Sequence, residues 1–280
     1  MVYRDYWALS QWHAHYSRLI GAEHLYIVAH GADAEINRIC EGSTVITIPR
    51  EGMDGFDRVR GAMLNGFQSG LSQIYDWVIR TDADELVCVD PAHHDGLAGL
   101  FATCSEHAVF ALGLDVIEQA GDDDLLKGEP VFDKRRGAIF SGHYSKAFAV
   151  CDATPLIRHG VGMRRFKVEA YPFQMPQGVY LVHLKYANGA AVAASDAHRI
   201  EVASSDAKGL PGKRWRDAAR FAAKYRDRMA TLTQLPWDEA ERRAYDAIAA
   251  EPHRMRDAGV IRAQFSEFDF ATQLPDWFRW

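Results

Sequence analysis

The spacing of apolar positions divides the chain into alternating elements. Leu9, Trp12, Tyr16 and Leu19 recur at helical intervals among polar residues and predict an amphipathic helix over Tyr6–Ile20, closed by Gly21. Residues 25–29 form a short apolar run, predicted as a buried strand, and His30-Gly31-Ala32-Asp33 turns into a helix start. Thr44–Ile48 is β-branched and stopped by Pro49, which marks a second strand. After a glycine-bearing loop, Val59, Met63, Phe67 and Leu71 repeat every fourth residue and predict another helix. Residues 74–79 then read as a buried strand that ends in Asp82-Ala83-Asp84-Glu85.

Strand, helix, strand, helix, strand in this order predicts an α/β domain whose sheet is mostly parallel, with right-handed crossovers and flanking helices. Residues 108–114, 144–150 and 179–184 are further strand candidates, and 121–134, with Asp122, Asp123 and Asp124, reads as a polar loop. From residue 213 the character changes. Residues 214–232 and 237–250 read as helices rich in Arg, Asp and Glu, followed by a tail carrying Phe265, Phe268, Phe270, Trp277, Phe278 and Trp280. So many aromatics predict a tail that docks on the domain or forms an interface between copies of the chain. The expected division is a catalytic domain over 1–210 and a C-terminal helical extension over 211–280.

Composition narrows the function classes. The 280 residues are 48% hydrophobic and 25% charged, enough for a large packed core. The formal net charge of -6 argues against a nucleic-acid surface, which needs clustered cations. Cys40, Cys88, Cys104 and Cys151 are widely spaced without a C-x-x-C, so neither a zinc knuckle nor a disulfide framework is expected. The first residues show no basic-then-apolar leader, and no apolar segment approaches the ~20 residues that span a bilayer. The expectation is a soluble cytoplasmic protein, working in solution or at the inner surface of the membrane.

The acidic segment carries the candidate chemistry. Carboxylates placed side by side after an apolar strand repel one another unless a cation joins them. A divalent metal with a phosphate-bearing ligand meets that need, and open α/β sheets bind ligands beyond the carboxyl ends of their strands. Arg58, Arg60 and Arg80 lie nearby in sequence, and arginine is the favoured bidentate partner of phosphate. Asp115 and Glu118 end the next strand candidate and are the carboxylates expected to serve as general base.

These residues resemble the bacterial family 2-type nucleotide-sugar glycosyltransferases with the GT-A fold. The likeness covers roughly residues 2 to 190. It rests on Arg4-Asp5 before a helix, Trp12, His15-Tyr16, Leu19-Ile20-Gly21-Ala22, a strand ending near Asp33, the Arg58, Arg60, Asn65 helix, and Asp82-Ala83-Asp84-Glu85 as the D-x-D element. Only Met1–Tyr3 precede Arg4 where the resemblance expects a full strand, so either that strand is very short or the chain has been given a late start. The resemblance implies a GT-A (Rossmann-like) sheet and a Mn²⁺- or Mg²⁺-dependent transfer of a sugar to an acceptor hydroxyl. It implies a UDP- or GDP-sugar donor, a glycan or lipid-linked acceptor, and a role in cell-surface glycan or polysaccharide synthesis. It assigns Asp84 to direct metal ligation and Asp82 to metal-bound water or ribose. His183 would be a further metal ligand, with His159 competing for that place. Arg4, Asp5, Asp33, Arg58, Arg60, Asp82 and Lys146 would face the nucleotide sugar. Two other classes use the same residues: a phosphatase or nucleotidyltransferase built on Asp82 and Asp84, and a non-catalytic binding module of the same origin.

Overall fold

A computed structural model describes residues 1–51, 55–203 and 218–279. The boundary expected at 210/211, the first part of the helix expected over 214–232, and Trp280 lie outside the described residues. In chain order the elements are α1 (Tyr6–Ile20), β1 (Tyr26–His30), α2 (Ala34–Ile39), β2 (Thr44–Ile48), α3 (Phe56–Leu71), β3 (Val78–Ile79), β4 (Glu85–Val89), α4 (Gly96–Thr103), β5 (Ala108–Ile117), α5 (Val131–Lys134), β6 (Gly137–Phe140) and β7 (Lys146–Val150). They continue with β8 (Leu156–Ile157), β9 (Gly160–Gly162), β10 (Val179–Tyr186), α6 (Gly189–Ala203), α7 (Ala218–Thr231), β11 (Thr233–Gln234), α8 (Trp237–Ala249), β12 (His253–Met255), β13 (Val260–Arg262) and β14 (Phe270–Gln273).

The fold is mixed α/β, and its several sheets are mostly antiparallel or mixed, not the mostly parallel sheet expected. β1 and β2 pair in parallel, and Val2 adds one parallel bridge to Ala29. The main sheet runs β11-β14-β6-β5-β10-β4, with β7 beside β5 and β3 beside β7. Within it β5–β10 and β11–β14 are parallel, and the other pairs are antiparallel. A smaller antiparallel sheet joins β12, β13, β9 and β8.

The departure begins at the acidic segment. Residues 74–77 are not strand: the Ile74 and Tyr75 amides bond back to the Leu71 carbonyl, prolonging the turn after α3. Ile74 is 78% exposed, and Trp77 stacks on Phe101 at 4.7 Å. Only Val78 and Ile79 enter a ladder, antiparallel to β7. The apolar content that reads as strand before the acids is instead carried after them, by Leu86, Val87 and Cys88 of β4, all nearly inaccessible. Asp82 and Asp84 therefore sit in a turn between β3 and β4, and Glu85 opens β4.

Helix α1 closes the free edge of β4 with side chains. The Tyr16 hydroxyl accepts the Val87 amide at 2.9 Å, and His15 Nε2 meets the Val87 carbonyl at 2.9 Å. Trp12 Nε1 donates to Thr81 at 2.8 Å, tying the helix to the residue before Asp82. An edge strand left with unpaired amides would recruit another chain, and a buried one would lose hydrogen bonds. The C-terminal part is more than helical. α7 and α8 are present, but β14 pairs with β6 and β13 pairs with β9. The aromatic tail docks on the domain: Phe268, Phe270 and Phe278 are buried, and Phe278 packs among Phe132, Tyr180, Trp237 and Trp277. Among the described residues no helix is long and apolar enough to cross a membrane. Cys40, Cys88, Cys104 and Cys151 are free thiols.

Candidate active site

Strand register builds the centre of the site. In the β4–β10 and β5–β10 ladders, His183 lies opposite both Glu85 and Asp115, so three titratable side chains form one row across the sheet. The amide of Leu184 extends the β4–β10 ladder to the carbonyl of Asp84 at 2.8 Å, fixing the backbone of the acidic turn against β10. His183 Nδ1 meets Asp115 Oδ1 at 2.6 Å, and its Nε2 lies 3.4 Å from Asp84 Oδ2. The Tyr144 ring stacks on the imidazole at 3.6 Å. Gly113 makes this stacking possible. A Cβ there would stand 2.2 Å from the Tyr144 carbonyl carbon, so only glycine lets residues 144–145 cross β5 so closely.

The turn itself is held from behind. Glu85 is buried; its Oε2 accepts the Asp82 amide at 2.9 Å and its Oε1 accepts from Lys146 Nζ at 2.7 Å. Burial works against the Lys146 ammonium, but Glu85, Asp82 and Asp84 outweigh it and hold its pKa above the ordinary value. Burial likewise pushes the Asp82 carboxyl upward, and Arg60 with Lys146 overcomes this to place it far below the usual range. Arg60 forms an ion pair with Asp82 Oδ1. Burial alone would lower the His183 pKa; Asp84 and the Asp115 hydrogen bond override it and raise it to about 9.

These groups open onto a cleft of about 330 Å³. Asp82, Asp84, Glu85 and His183 line one side of it; Tyr3, His30, Arg50 and Phe56 line another. On that second wall Arg50 lies 3.5 Å over the Tyr3 ring and donates to His30 Nδ1 at 3.1 Å, and His30 stacks on Phe56 at 5.7 Å. A wall of flat rings with one guanidinium suits a planar heteroaromatic group.

The remaining expected residues divide sharply. Asp5 and Arg60 line the cleft. Lys146 does not; it is the buried counter-ion of the acidic turn rather than a donor-facing lysine. Asp115 is 1% exposed and bonded to His183, so it orients the imidazole and is not a base open to an acceptor. Glu118 pairs with the buried Arg135 at 3.1 Å and accepts the Gly189 amide, outside the cleft lining. Asp33 is a helix cap: it accepts the Glu35 amide at 2.9 Å and the Tyr6 hydroxyl at 2.8 Å. Arg4 and Arg58 are exposed and do not line the cleft. Arg80 bonds Asn65 at 2.6 Å and the Leu156 carbonyl, joining α3 to β8.

Sequence reasoning missed the ring wall, because Tyr3, His30, Arg50 and Phe56 carry no mutual spacing and meet only through the fold. It reads His159 only as a competitor for the metal and does not see the turn that Arg158 and His159 make. These two residues form the tip of the β8–β9 hairpin, with φ of 50° and 65°. Such turns favour Asn-Gly, and each non-glycine residue held there costs on the order of 1 kcal/mol. His159 reaches the cleft from this tip.

Among the described residues no group of three or more His, Cys, Asp and Glu side chains is arranged to hold a metal by itself. Asp84 and His183 nevertheless fit as a pair. Neighbouring ligands of an octahedral ion held at about 2.1 Å stand about 3 Å apart, close to the spacing of Asp84 Oδ2 and His183 Nε2. The Asp115 contact leaves Nε2 as the nitrogen that faces Asp84, the arrangement in which a second carboxylate orients a metal-binding histidine. Comparison of the chain with protein-family models and with curated proteins finds no match.

Proposed function

We propose that this protein is a metal-dependent glycosyltransferase that moves a sugar from a nucleoside-diphosphate donor to an acceptor hydroxyl. The observation that carries the reading is the Asp84–His183–Asp115 chain of contacts, whose Asp84 and His183 line the cleft while Asp115 lies buried behind them. Two protein ligands leave most of an Mg²⁺ or Mn²⁺ shell for water and phosphate oxygens, as in sites that use a substrate's phosphates to complete the coordination. When bound, the ion neutralises the charge that develops on the departing diphosphate. Asp84 and His183 would hold it, with Asp115 keeping the imidazole oriented. Arg60 places a further positive charge on the wall, and its partner Asp82 faces the same space. The ring wall of Tyr3, His30, Arg50 and Phe56 receives the base. The parallel run from Val2 through β1 to β2, ahead of the acidic turn, supports a GT-A-like arrangement. The Asp82–Arg60 ion pair disfavours the phosphatase alternative, whose nucleophile would be Asp82.

Calorimetric titration with UDP and with GDP, each with Mn²⁺ or with chelator, tests this reading. The expected result is binding of one nucleotide that needs Mn²⁺ and weakens at least ~100-fold in Asp84→Asn. Wild-type protein that binds neither nucleotide with Mn²⁺ present, or binds equally well in chelator, would contradict it.

A further inference from the structure

An acceptor hydroxyl must lose a proton as it attacks, and the two carboxylates expected for that task are engaged in other contacts. Asp115 serves His183 and Glu118 serves Arg135. Within the cleft, a different group has the geometry of a base. We propose, resting on the transferase reading, that His159 is the base that takes the acceptor's proton.

Three observations place it. His159 Nδ1 lies 2.7 Å from the His143 carbonyl, an acceptor, so Nδ1 must carry its hydrogen and the neutral ring presents a lone pair at Nε2. Among the described residues no protein group bonds that Nε2, and the side chain lines the cleft beside Tyr144 and His183. The backbone is clamped as well: the His159 carbonyl accepts the Ala147 amide at 3.3 Å, next to the Lys146 that holds Glu85. The imidazole is thus registered to the acidic turn through β7.

The second observation is the conformation. His159 and Arg158 occupy the left-handed region at a hairpin tip where glycine or asparagine would sit without strain. Strain of this kind persists where the side chain is needed, and the inference runs from the observed outlier to function. The third is electrostatic. Burial, with Lys146 adding to it, lowers the His159 pKa to about 4, so the ring is unprotonated at neutral pH and its basicity matches that of a carboxylate.

The step balances. The acceptor oxygen forms a bond to the anomeric carbon, and the bond from that carbon to the diphosphate oxygen breaks. The nucleoside diphosphate leaves with the bonding pair, and the acceptor's proton passes to His159 Nε2 and on to water. Asp57, on the first turn of α3 beside Arg60, is another carboxylate that lines the cleft.

The test compares full-length wild type with His159→Gly, His159→Gln and Asp57→Asn. Release of nucleoside diphosphate is followed from UDP-glucose, UDP-N-acetylglucosamine and GDP-mannose with Mn²⁺. The expected result is a loss of about 10²–10⁴-fold in turnover for both His159 variants. Mn²⁺-dependent UDP or GDP binding should stay within about threefold of wild type. Added imidazole should restore His159→Gly saturably and leave His159→Gln unchanged, and His159→Gly should melt about 2–4 °C higher because the strain is gone. Nitrogen-15 NMR of the wild type at pH 7 should show His159 neutral and protonated at Nδ1. An undiminished His159→Gly rate, no imidazole rescue, a charged ring at pH 7, or loss of turnover confined to Asp57→Asn would each overturn the proposal. Wild-type protein lacking Mn²⁺-dependent nucleotide binding would remove the transferase reading and this step with it, whereas intact binding with an undiminished His159→Gly rate removes this step alone.

Discussion

The two walls of the cleft are held in different ways. On the acidic wall His183 and Glu85 are each fixed twice, by strand register and by side-chain partners. His183 stands in both ladders of β10 and between Asp84 and Asp115. Glu85 stands in β4 and between Lys146 and the Asp82 amide. On the ring wall, Tyr3, Arg50 and Phe56 lie at or outside element ends and are only partly buried, with Arg50 stacked on Tyr3 and donating to His30. Dense contact on one side and adjustable contact on the other suit a site that must place charge accurately yet accept and release a flat ligand.

The largest predicted effect breaks the acidic wall from behind. Lys146→Met leaves Glu85 buried without its cation and should cost about 3–5 kcal/mol of folding free energy, measured by denaturant unfolding. A loss under ~1 kcal/mol would show that the pair does not hold the turn. Next, Asp115→Asn frees the imidazole while leaving Asp84 and His183 in place. It should weaken Mn²⁺-dependent nucleotide binding about 10–100-fold in calorimetry, with much less effect on stability.

A titration sharpens the role of α1. Burial lowers the His15 pKa to about 3, while the unfolded chain takes up that proton near pH 6.5. Between these values the unfolded state binds more protons, so stability falls as pH drops. From pH 6.5 to 5 the contribution lost is about 2 kcal/mol. His15→Gln should flatten that part of the unfolding free energy against pH; an unchanged slope would mean the ring is not held neutral against β4. The smallest effect is on the ring wall. Arg50→Ala should weaken nucleotide binding about 3–10-fold and leave its Mn²⁺ requirement intact, because the guanidinium touches rings rather than acids.

What was legible in the sequence follows the same division. Periodicity alone bounds α1 and β2 as they stand, since each keeps one period between clear stops. It also finds the acidic turn and His183, where chemistry interrupts an apolar strand. Strand direction was not legible: an apolar run reads alike in a parallel or antiparallel pair, so β7 reads as part of a mostly parallel sheet although it pairs antiparallel, and β4 and β6 do not read as strands at all. Polar side chains that bond each other across the fold also looked like site residues. Asp33 and Glu118 are examples, since a cap or a buried ion pair uses the same residue types as catalysis. Arg50 and His30 carry no signal of their own and become a pair only when β1 and β2 align, His30 opposite Ile48.

In the proposed function, Asp84 and His183 share one divalent ion against a diphosphate. A crystal structure of the protein soaked with Mn²⁺ and UDP or GDP, read at the manganese anomalous edge, tests it most directly. The expected result is one anomalous peak within bonding distance of Asp84 Oδ2, His183 Nε2 and phosphate oxygens, with Asp115 still on Nδ1. A cleft in which His183 keeps its contact with Asp84 and the ion binds elsewhere, or nowhere, would contradict it.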